Sequence, residues 1–147
     1  MPRVIDGDNL LGTWPGRSRS DAEKRALVRE VDGLMRREKR RIVVVFDGSP
    51  PPGVSYGHDV LFSGQGRKAD AVILELLRRE SDPRGWTVVT NDRSLADQCQ
   101  FVGAKAESVR VFRERLLRDA AAEKPDTPGD IDYWLDQFGG DDPGSPR

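Results

Sequence analysis

One cysteine and one histidine among 147 residues close off much of the usual catalytic chemistry. Cys99, alone, forms no internal disulfide and argues against a thiolate zinc site. His58, alone, leaves little scope for a histidine-rich metal site or a Ser-His-Asp triad. Long apolar runs are also missing, with nothing near the roughly 18 residues that a transmembrane helix needs, so no membrane partner is expected. The chain runs almost at once into an apolar strand, which predicts no signal peptide and a cytoplasmic location. Neither sign of charge dominates, the formal net charge being −1. Chemistry in this chain has to rest on carboxylates.

Charge itself is abundant, at 33% against 36% hydrophobic residues, which describes a polar globular chain of one-domain size with enough length for a core. The near-neutral total hides an asymmetry. From residue 124 onward, six aspartates stand against Lys124 and Arg147, leaving 22 basic and 19 acidic residues in positions 1–123, a net +3. A mildly basic body with an acidic tail suits a polyanionic substrate, although many proteins that never touch nucleic acid share it.

Hydrophobic periodicity and turn chemistry predict alternating strands and helices. Strands are expected at 3–6, 42–46, 58–63, 86–90 and, weakly, 104–107, and helices at 20–36, 68–80, 92–102 and 108–122. Residues 7–20, rich in Gly, Pro, Arg and Ser around Trp14, read as a loop. Ser20 and Glu23 have the spacing of a capping box. The succession implies a parallel sheet with helices on both faces. A domain over 1–122 and an acidic tail over 123–147 are expected. Within the tail, Ile131, Trp134, Leu135 and Phe138 fit a short amphipathic helix at about 130–138, placed either to dock a partner protein or to fold back on its own domain.

Four aspartates adjoin the apolar runs: Asp6, Asp47, Asp70 and Asp92. Three would sit at strand carboxyl ends and Asp70 at the start of a helix beginning there, the edge where open α/β sheets place their ligands. Each alone has a plainer explanation as a turn residue or helix cap. Gathered at one edge they would repel one another unless a hard divalent cation, Mg²⁺ or Mn²⁺, lay between them. Asn9 could orient a phosphate or simply stabilise its turn, and Asp8 is expected in solvent. The segment Gly64-Gln65-Gly66-Arg67-Lys68 could bring backbone N–H groups and the cations of Arg67 and Lys68 to a phosphate, with Arg93 as a further contact. Trp14 could stack on a base or be buried. The cluster at 36–41 lies at the far end of the sheet and reads as structural or as a secondary RNA contact.

The segments Asp6-Gly7-Asp8-Asn9, Phe46-Asp47-Gly48, the run from Val60 to Asp70 and Val88-Val89-Thr90-Asn91-Asp92-Arg93, in this order, resemble the YacP-like branch of the NYN-domain ribonucleases. The resemblance spans residues 3–118. It implies a PIN-like three-layer α/β/α fold with a mainly parallel central sheet and an acidic site at the strand carboxyl ends. It also implies a Mg²⁺-dependent endoribonuclease using Asp6, Asn9, Asp47, Asp70 and Asp92, acting on single-stranded RNA or mRNA, with the ribosome as a further partner. Ala71 departs from the family, which often has a second acid there, and Glu75 one turn on could substitute in part. Two other readings stand beside this one: a catalytically inactive RNA- or ribosome-binding adaptor, and a haloacid-dehalogenase-like phosphatase built on the Asp6-Gly7-Asp8 spacing.

Overall fold

The computed structural model describes residues 1–57 and 59–123. The expected tail helix at about 130–138 and His58 lie outside the described residues. Two compact units divide the chain, Met1–Leu116 and Leu117–Arg147. The first holds the entire sheet; of the second, residues 117–123 are described, as helix.

Five parallel strands form one sheet in the order β3-β2-β1-β4-β5: β1 (Arg3–Asp6), β2 (Ile42–Phe46), β3 (Val60–Phe62), β4 (Thr87–Val89) and β5 (Lys105–Glu107). The helices are α1 (Gly7–Gly12), α2 (Asp21–Glu38), α3 (Ala69–Arg79), α4 (Arg93–Phe101) and α5 (Val109–Glu123). No described helix is long and apolar enough to cross a membrane. This is the three-layer, parallel α/β arrangement that the strand–helix alternation predicts.

The central strands read as unbroken apolar runs because both faces of the sheet are covered. Ile5, Val44, Phe46 and Val89 pack with residues of α1, α2 and the first part of α5, including Leu10, Leu27, Val31 and Phe112. Val4, Val43, Val45 and Val88 pack on the opposite side with Ile73 and Leu77 of α3 and Leu95 and Cys99 of α4. Cys99 is buried, and burial pushes its thiol up to about 11, as expected of an inert core residue.

Residues 7–20 differ from the sequence expectation. They open with α1, whose Leu10 and Leu11 are fully buried, so burial of two leucines outweighs the poor helix propensity of the flanking glycines. Ser20 caps α2 by accepting from the Glu23 amide at 3.2 Å. The Glu23 side chain, however, turns to Arg17 at 2.7 Å, so only half of the capping box forms. At the other end Lys39 adopts the left-handed conformation (φ 56°) and its amide closes the helix on the Met35 carbonyl.

Strand order reverses about β1: the chain winds from β1 to β2 and β3, then crosses to β4 and β5 on the other side. The crevice at the carboxyl ends of β1 and β4 is therefore the switch point where such sheets bind ligands.

Candidate active site

Strand pleating decides which side chains meet at that crevice. Alternate residues share a face, so Asp6 follows Val4, Asp47 follows Val45 and Thr90 follows Val88 onto the side covered by α3 and α4. Hydrogen bonds bear this out. The Thr90 hydroxyl donates to Asp6 Oδ2 at 3.1 Å and accepts from the Asp92 amide at 3.0 Å. Asp47 Oδ1 accepts from the Ala69 amide at the start of α3 at 2.6 Å.

A second set of contacts closes the edge from the α1 side. Asp8 is only 7% exposed, and its Oδ2 accepts from the Asp47 amide. Its other oxygen lies 3.8 Å from Lys24 Nζ, and its carbonyl accepts from Arg19 Nε at 3.2 Å. The expectation of a solvated Asp8 is thus corrected: α1 turns the side chain back under the end of β2, where it fixes the backbone that carries Asp47. Asn9 Oδ1 accepts from the Asn91 amide at 2.8 Å, and Asn91 Oδ1 accepts from the Val109 amide at 3.2 Å. This chain joins α1, the end of β4 and the first residue of α5, so the Asn9 side chain ties separate elements together rather than stabilising its own turn.

Burial perturbs the Asp6 carboxyl. Desolvation raises it from 3.8 to about 6, against the lowering influence of the Thr90 hydroxyl and the Asn9 backbone N–H and with help from the negative charges of Asp47 and Asp8. Three carboxylates therefore feel one another across the ends of β1 and β2. Asp70 and Asp92 belong to the adjoining helix starts. Asp70 Oδ1 accepts from the Ala71 amide at 2.8 Å, and Asp92 caps α4 through the Leu95 amide at 3.2 Å.

The cationic candidates fare differently. Arg67 is turned to Glu75 at 2.6 Å, and Glu75 is thereby drawn away from any compensating role for Ala71. Lys68 and Arg93 are exposed beside the edge. Gly64 and Gly66 take positive φ values of 88° and 77°, conformations that require glycine. Ser63 pins their loop, accepting from the Gly48 amide at 2.9 Å and donating to the Arg67 carbonyl at 2.8 Å. Trp14 is half-buried with the Arg17 guanidinium 4.4 Å from its ring centre, so an arginine covers the face proposed for a base.

Among the described residues no group of three or more acidic, histidine or cysteine side chains is already arranged to hold a metal ion. Mg²⁺ keeps several waters and takes only one or two protein carboxylates. Buried Asp6 with Asp47 beside it, an all-oxygen donor set carrying surplus negative charge, fits that cation. Sequence reasoning passed over Lys24 and placed Asp8 in solvent; burial of Asp8 is legible only once residues 7–12 are read as helix.

The family model described as YacP-like NYN domain matches residues 3–128. Two crystal structures of Rae1 (YacP) from Bacillus subtilis are similar, each 20% identical in sequence. One, of a point mutant, aligns over 83% of this chain and 77% of its own with a TM-score of 0.70. The other aligns over 83% and 76% with a TM-score of 0.69. No curated protein matches the chain. At that identity the structural likeness establishes the fold.

Proposed function

The chain belongs to the YacP-like NYN domain family, and on that premise we propose that it is a divalent-cation-dependent endoribonuclease acting at the carboxyl edge of its sheet. The family points to nuclease-type, RNA-related function. The observation that carries the proposal is the coupling of buried Asp6 to Asp47 and Asp8 at the switch point, where among the described residues Asp6 and Asp47 form no ion pair and Asp8 meets Lys24.

Asp6 and Asp47 would hold Mg²⁺ or Mn²⁺, with Asp70 and Asp92 completing an acidic rim. A bound cation supplies an acidified water and neutralises charge developing on the attacked phosphate. Asp8 holds the Asp47 backbone in place, and Thr90 orients Asp6 while tying it to the start of α4. The Asn9 side-chain amide would donate to a phosphate oxygen. Lys68 and Arg93 would hold flanking phosphates, and Arg67 would join them on leaving Glu75. In-line attack by water at the scissile phosphate yields 5′-phosphate and 3′-hydroxyl ends. Single-stranded RNA or mRNA is the substrate class of this proposal, which extends to ribosome-associated mRNA in the cytoplasm.

A labelled single-stranded RNA incubated with increasing Mg²⁺ tests the proposal. Internal cleavage that needs the cation and vanishes in Asp47→Asn, with RNA binding retained, supports it; full activity in that variant defeats the assignment. A second reading, an inactive RNA- or ribosome-binding adaptor, is favoured by Ala71 and by the engagement of Glu75 with Arg67. It predicts RNA binding with no cleavage at any Mg²⁺ or Mn²⁺ concentration.

A further inference from the structure

The outward face of α2 carries arginines that form no ion pair among the described residues. Arg25, Arg29 and Arg36 are exposed, and helical geometry puts them within a band of about 40° extending about 17 Å along the axis. On a surface helix, acids at i±3 or i±4 would ordinarily neutralise such a stripe, and here only Asp21 and Asp32 have that spacing. The helix's glutamates lie off it and are drawn to arginines from elsewhere. Glu23 and Glu30 go to Arg17 at 2.7 and 2.9 Å, and Glu38 goes to Arg115 at 2.9 Å and Arg3 at 3.9 Å. Asp21 and Asp32 flank the band without an ion pair, and the three arginines have neither a hydrogen-bond nor an ion-pair partner among the described residues. Arg40, exposed just beyond the left-handed cap, adds a further guanidinium at the far end.

The stripe begins at the turn of α2 that reaches the candidate site. Lys24, which precedes Arg25, reaches Asp8 at 3.8 Å. From there α2 runs down the flank of the sheet to end shortly before the first residue of β2. Guanidinium groups fork onto phosphate oxygens and are weakly hydrated, so a row of unpaired ones matches a polyanion's backbone.

We propose that the outer face of α2 is a second RNA-contact surface, gripping phosphates of the strand outside the segment being cut. This deepens the ribonuclease proposal and rests on it. The contact is to phosphates, independent of base sequence, and adds affinity only for RNA long enough to leave the carboxyl edge and descend the flank.

The test compares wild type with the triple variant Arg25→Gln/Arg29→Gln/Arg36→Gln on two labelled RNAs, one a short oligonucleotide covering only the cut site, the other several times longer. Binding is followed by anisotropy across a salt series, and KM and kcat are measured with Mg²⁺. For the long RNA the triple variant should raise KM about tenfold and make the slope of log affinity against log salt shallower by about 2. Neither kcat nor any constant for the short RNA should move. An Arg→Lys triple, which keeps the charges, should retain most of the slope, and it stands in if the Gln triple loses its helical circular dichroism. Unchanged KM and salt slope on the long RNA would overturn the surface while leaving the nuclease proposal intact. Arginine-dependent binding by a wild-type protein that cuts neither RNA would do the reverse.

Discussion

Arg3 and Asp6 stand at opposite ends of one four-residue strand, 8% and 9% exposed, and the fold treats them in opposite ways. Arg3 is bracketed by Glu107 at 3.3 Å and Glu38 at 3.9 Å, and Arg115 joins Glu38 at 2.9 Å. Two arginines and two glutamates cancel there. Asp6 has two further carboxylates for company, Asp47 and Asp8, and forms no ion pair among the described residues, while Lys24 serves Asp8. A charge buried for structure arrives with its counter-ion because an unpaired one costs several kcal/mol. A charge buried for work is left short of one, so that a ligand can supply it. The two ends of β1 separate those cases within one element.

The sharpest way to break this contrast is at the carboxyl edge. Asp47→Asn keeps its hydrogen bond to the Ala69 amide but loses its charge, and RNA cleavage should fall about 10³-fold or more, the scale of losing a charge-stabilising group at a reacting centre. Melting temperature should change little, and a stopped-time cleavage assay beside calorimetry separates the two effects. At the other end, Arg3→Met strands Glu107 and should cost about 3 kcal/mol or more in denaturant unfolding. The turnover of the protein that remains folded should be unaltered.

Asp6 supplies a pH signature with a definite sign. Its carboxyl titrates near 6 in the folded protein against 3.8 ordinarily, so between those values the native state keeps a proton that the unfolded chain has released. This group therefore removes stability as pH rises through that window, by ~3 kcal/mol once both states are ionised, and contributes nothing below it. Asp6→Asn should stabilise the protein at neutral pH, lose that advantage at about pH 4 and abolish cleavage; urea titrations at the two pH values measure it. Smaller still is Ser20→Ala, which removes the cap of α2 and should cost about 1 kcal/mol without touching the cleavage rate.

Much of this was legible in the chain because local rules and global topology agree. β1 and β2 fall where their apolar runs begin and end, and a period of two puts Asp6, Asp47 and Thr90 on one face without reference to anything else. What escaped was non-local. α1 is held by the burial of Leu10 and Leu11 rather than by propensity, so Asp8 looked like part of a loop. Pairing of Arg67 with Glu75, eight residues on, bridges a loop and a helix and has no signature in helical spacing. The same holds for Arg17, which gathers Glu23 and Glu30 from a preceding turn.

Calorimetric titration of Mg²⁺ into the folded protein tests most directly whether a cation supplies what Asp6 lacks. Wild type should bind with measurable heat at about pH 7.5 and more weakly at about pH 5, where Asp6 holds its proton. Asp6→Asn and Asp47→Asn should each lose the binding. Equal affinity in wild type and both variants, or none in any of them at millimolar Mg²⁺, would contradict the account.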